Sequence, residues 1–148
     1  MDKVQKSLGA DMGTRGAGAG PKIREMISAS KEESAKLLAI ELVELIDHGG
    51  ISPGDVTILS PYPVGDSCVA LLPEKIRHEI VTLDEYSLRN FPSAKTSFAE
   101  IANFKGLENE AIIVTDLPPP TKGSQYLAMH YVAMSRARSV LSLIQRET

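Results

Sequence analysis

Only one cysteine, Cys68, occurs in the 148 residues, so no disulfide can close within the chain, which fits a reducing cytoplasmic setting. Basic residues are not in excess: 16 lysines and arginines stand against 19 acidic residues, a net charge of −3. That balance excludes the strong, salt-sensitive nucleic-acid binding a lone domain achieves with a basic face, so any DNA contact is local or shared with other parts. No apolar run approaches the roughly 20 residues of a membrane span. Residues 1–10 carry Lys3 and Lys6 but no apolar core, which excludes a secretory signal. His48, His78 and His130 share no ligand spacing with Cys68, which argues against zinc, and no metal ligands are expected.

A phosphate-binding loop is missing as well. Gly16-Ala17-Gly18-Ala19-Gly20-Pro21-Lys22 supplies glycines, yet Pro21 stands where a glycine-lysine junction would have to run into a helix. Residues 1–21, with Gly9, Gly13, Gly16, Gly18 and Gly20 and no period, read as a flexible lead or linker. The remainder, 22–148, is one domain's worth of chain, with a 43% hydrophobic and 24% charged composition overall.

Within it, apolar runs at 23–27, 55–60, 79–83, 96–101, 111–115 and 140–144 read as strands. A helix is expected over 31–48, opened by the capping box Ser30/Glu33 and stopped by Gly49-Gly50. Its apolar face is Leu38, Leu42, Leu45 and Ile46. A short helix is expected over 67–72 and a last one over 125–137. Strands alternating with helices imply an α/β fold with a mainly parallel sheet covered on both faces.

Two apolar strands end in acids, Asp84-Glu85 and Asp116. Such ends hold Mg²⁺ beside a phosphate loop, which this chain lacks, so they read as polar strand ends.

Two segments carry candidate chemistry. Lys105-Gly106-Leu107-Glu108 lies between two strands; Gly106 permits close approach of the backbone to a ligand, and Glu108 can accept from a ribose hydroxyl. The alternative is a turn with a solvated glutamate. Tyr131-Val132-Ala133-Met134-Ser135-Arg136-Ala137-Arg138 ends the last helix. At about 100° per residue Leu127, Tyr131 and Met134 share a packing side and Arg136 projects opposite. A guanidinium there is a planar, permanently charged fork suited to phosphate. Arg136 and Arg138 alternatively only complement the helix C-terminus.

Together the segments resemble the two late motifs of superfamily 1 helicases of the UvrD/Rep type, in their C-terminal RecA-like domain. The resemblance covers about residues 23–145. It implies that Lys105, Gly106, Glu108 and Arg136 face a nucleotide, with Arg136 the catalytic arginine finger at the γ-phosphate and Arg138 a structural support. It further implies a fragment of a longer cytoplasmic, monomeric motor. ATP and Mg²⁺ are held mainly by an N-terminal RecA-like domain, and single-stranded DNA is the track. The fragment alone is expected to bind nucleotide weakly and not to hydrolyse it. Departures are plain: Glu100 and Ala102 stand where the family carries Thr and His, and residues 61–70 contain no second phosphate-sensing arginine. They leave open a catalytically degenerate nucleotide-fold module serving as a protein-interaction domain, and RNA is not separable from DNA as the track.

Overall fold

Apolar strands that bury both faces need helices above and below, and the computed structural model shows that arrangement. It describes residues 21–83, 91, 94–104 and 106–147; most of the expected lead, and the acidic pair Asp84 and Glu85, lie outside the described residues. In chain order the elements are β1 (Lys22–Ser28), α1 (Lys31–Leu42), β2 (Val56–Ser60), α2 (Glu74–Arg77), β3 (Ile80–Thr82), β4 (Thr96–Glu100), β5 (Asn109–Leu117), α3 (Ser124–Met134) and β6 (Ala137–Arg146). The six strands form one sheet in the order β1-β6-β5-β2-β4-β3, every adjacent pair parallel.

Strand alternation divides the core in two. Ile112, Val114, Leu141, Leu143 and Leu59 point towards α3 and the buried Ala133 and Phe104. Ala111, Ile113, Ile144, Ile58 and Phe98 point towards α1, meeting Leu38, Leu42 and Leu45. The expected α/β fold with helices on both faces is what forms.

The α1 start is capped as the sequence indicates: Ser30 Oγ accepts from Glu33 N at 3.1 Å, while Glu33 reaches back to Ala29 N rather than to the cap residue's own amide. The helix then widens into a π-helical turn, Val43–His48, before Gly49, and Gly50 takes φ +75°. Glu41, buried on α1, is held by the Arg24 guanidinium at 2.6 and 3.1 Å and by Ser142 Oγ at 2.5 Å, pinning the helix to β1 and β6. The Glu41 carboxylate raises the Arg24 pKa.

Several boundaries differ from expectation. The segment expected as a helix over 67–72 is a 3₁₀ turn, Cys68–Leu71, and α2 carried no signal strong enough to be anticipated. β6 runs well beyond 140–144 because Ala137 already pairs with Asn109. That pairing ends α3 at Met134, not at 137, so Arg136 lies in the turn before β6 and not on the helix. The α3 face is also rotated from the expected one. His130 and Ala133 are buried, whereas Leu127 is 43% and Tyr131 67% exposed.

Candidate functional site

Because β2, β5 and β6 are parallel neighbours, the segments that precede them meet at one edge of the sheet. A cleft of about 350 Å³ opens there, lined by Asp55, Phe91, Gly106, Leu107, Glu108, Asn109 and Arg138. The two motif segments, apart in sequence, form this edge together. Lys105 lies outside the described residues.

Asn109 organises the edge. Its backbone N–H donates to Arg136 O at 3.0 Å, and its buried side chain donates to Gly54 O at 3.1 Å and Thr57 Oγ1 at 2.9 Å. Thr57 is in turn hydrogen-bonded to Ser97 on β4 at 2.8 Å. This polar string ties the starts of four strands together; a polar residue opening an apolar run was its only trace in the sequence.

Gly106 adopts φ +78°, a left-handed backbone that strains any side chain, although the space around it is open. Glu108 follows, about half exposed, its carboxylate 3.5 Å from Arg138 Nη1. Arg136 is half-buried. Its Nη1 donates a long bond to Leu107 O at 3.4 Å, and its Nε is buried with no acceptor among the described residues. The guanidinium is thus anchored loosely to the loop that carries Glu108.

Arg138 is committed differently. Its Nε donates to Glu110 Oε1 at 3.0 Å, and Ser139 Oγ donates to the other oxygen of Glu110. The Ser139 hydroxyl and then Arg138 hold the Glu110 carboxyl below its usual value, while the bond to Glu110 raises the pKa of Arg138.

At the opposite edge Asp116 occupies a bulge of β5 with φ +62°. Its buried carboxylate accepts from Cys68 N at 3.0 Å, Thr115 Oγ1 at 3.0 Å, Ser60 Oγ at 3.3 Å and Arg146 at 3.2 Å. Three of these donors meet one carboxylate oxygen and Arg146 the other, so both oxygens are engaged by the fold. Among the described residues no group of three His, Cys, Asp or Glu side chains is placed to hold a metal ion, and no helix is long and apolar enough to cross a membrane. Glu100 and Ala102 border a small apolar groove with Pro61, Met129 and Val132.

The parallel sheet, its helical cover and the strand order define a RecA-like α/β domain. Among solved structures the chain is similar to the C-terminal domain of a possible DNA helicase from Lactobacillus plantarum WCFS1, at 17% identity over 87% of this chain and 76% of that one, with a TM-score of 0.68. At that identity the likeness is one of fold. No protein-family model matches the chain, and no curated protein does.

Proposed function

We propose that this chain is the C-terminal RecA-like domain of an ATP-dependent DNA helicase or translocase of the UvrD/Rep type. In this reading it supplies one wall of an ATP site whose other wall is an N-terminal RecA-like domain. The observation that carries the reading is the meeting of the two motif segments at one sheet edge, with Arg136 bonded to the Leu107 carbonyl and its Nε left without an acceptor among the described residues. A buried donor without a partner is costly, and such residues persist where a ligand uses them.

The roles follow from position. The loop at Gly106 brings backbone to the nucleotide, and Glu108 accepts from a ribose hydroxyl. Arg136 donates to the γ-phosphate when the facing domain closes, stabilising charge in the transition state. Mg²⁺ and the phosphate loop belong to the facing domain, so this chain alone binds ATP weakly. Single-stranded DNA is the track of the joined motor.

The test is Arg136→Ala in the protein that joins both domains. A loss of ATPase by about a thousandfold or more, with the fold intact, supports the motor; unchanged ATPase removes it. A second reading, a degenerate nucleotide-fold module that docks a protein partner, is favoured by Glu100 and Ala102, which place an acid and a methyl where a phosphate backbone would be gripped. Unchanged ATPase in Arg136→Ala is the outcome that module expects.

A further inference from the structure

β5 and β6 slip register at their start: Asn109 pairs with Ala137 but Ala111 with Val140, so one residue of β5, Glu110, faces two of β6, Arg138 and Ser139. Both bond its carboxylate. A bulge turns a side chain away from its regular direction, and here the turned side chain is Arg138, which also reaches Glu108 and lines the cleft. Glu110 does not line the cleft; it is a fixed point outside it.

We propose that Arg138 is a positioning residue for nucleotide selection: anchored on Glu110 and Ser139 by the bulge, it holds the Glu108 carboxylate over the cleft in the orientation that accepts a ribose hydroxyl. This rests on the nucleotide-site reading above. An isolated Glu108, about half exposed on a loop that follows a left-handed glycine, has many rotamers open to it. Fixing it before the ligand arrives removes the ordering cost from the binding step. The fork geometry matters, because one guanidinium spans two carboxylates at once, Nε to Glu110 and Nη1 to Glu108, which an ammonium cannot do in the same way. The ion pairs themselves add little stability at this exposure. Their consequence is orientation: with its guanidinium committed to Glu108 and Glu110, Arg138 acts on which sugar is accepted and not on the speed of the phosphoryl step.

Steady-state ATPase of the joined two-domain protein, measured with ATP and with 2′,3′-dideoxy-ATP, tests this. The unmodified protein should prefer ATP in kcat/KM by about tenfold, the value of one hydrogen bond to a charged acceptor. Arg138→Ala should raise KM for ATP several-fold and shrink the preference to about twofold or less, with kcat changed by no more than about twofold. Glu110→Gln, an exposed change that leaves the cleft lining intact, should move the preference in the same direction and decides the matter if Arg138→Ala folds poorly. A preference unchanged in both variants, or a fall in kcat with the preference intact, overturns the proposal. The two readings fail separately. If Arg136→Ala abolishes ATPase while Arg138→Ala keeps sugar selection, only the positioning role is lost; if Arg136→Ala is silent, the nucleotide site and this role fall together.

Discussion

Replacing Arg136 with methionine keeps most of the aliphatic stem and removes the guanidinium, and for an arginine that served the fold this would cost stability. The geometry here points the other way. Arg136 Nε is buried with no acceptor among the described residues, an arrangement that costs about 1–3 kcal/mol when fully desolvated. The Nη1 bond to Leu107 O, at 3.4 Å, lies at the long limit and is worth less than about 1 kcal/mol. Because the residue as a whole is only half-buried, part of the penalty is already relieved by solvent, and Arg136→Met should change stability by about 0 to +1 kcal/mol. Urea unfolding of the chain, followed by circular dichroism, reads this directly. With a slope of about 2 kcal/mol/M for a domain of this size, the midpoint should hold or rise by up to about 0.5 M with the slope unchanged. The same substitution in the joined protein should abolish ATPase. Stability kept and activity lost is the signature of a residue retained for function. A midpoint lowered by more than about 0.5 M would make Arg136 a structural residue and refute the reasoning.

Four other outcomes follow from the same structure. Arg24→Ala leaves the Glu41 carboxylate buried with Ser142 alone to hold it among the described residues, and because Arg24 is itself 23% exposed the loss should sit below the fully buried range, at about 2 kcal/mol by urea midpoint. Burial pushes the Cys68 thiol up from 9.0 to about 12, with Asp116 adding to the effect, so native Cys68 should react with a thiol reagent at mildly alkaline pH about a thousandfold more slowly than in urea. Since the folded value lies above the unfolded one, the linked stability is fully present below pH 9.0 and is lost as pH rises towards about 12; a urea midpoint that stayed flat through that window would contradict the burial. Asp116→Ala should cost about 3 kcal/mol or more by removing an acceptor shared by four donors, whereas Asp116→Asn should cost less, because asparagine keeps an acceptor and tolerates φ +62°; equal losses in thermal melts would exclude the bulge geometry as the reason.

The central strands were legible because parallel, doubly covered strands are rich in apolar residues, as Ala111 to Val114 are, and the α1 start because a capping box is a local device. The end of α3 was not. Nothing within residues 131–138 says that Ala137 will pair with Asn109; that pairing is a long-range event, and it takes Arg136 off the helix. The buried face of α3 is not legible in the sequence for a related reason. In a helix with no charged residue, periodicity offers several apolar stripes, and the sheet selects the one bearing His130, whose Nε2 meets the Pro118 carbonyl at 2.9 Å. Of the candidate site, Gly106, Glu108 and Arg136 stand out in the sequence as a pattern, while Asn109 and Glu110 do not. Their roles exist only once β5 lies between β2 and β6.

That placement explains why two segments so far apart in sequence meet at one place. A parallel strand pair requires the chain to return to the edge where it began, so the residues before β5 and those before β6 must arrive at the same end of the sheet, separated by one α3 crossover. The loop before β5 supplies Gly106 and Glu108; the turn before β6 supplies Arg136 and, one bulge later, Arg138. The bond from Asn109 N to Arg136 O ties arginine placement to strand register. The edge therefore behaves as one unit: substitutions at Asn109 should move both motifs together, and substitutions on the exposed face of α3 should move neither.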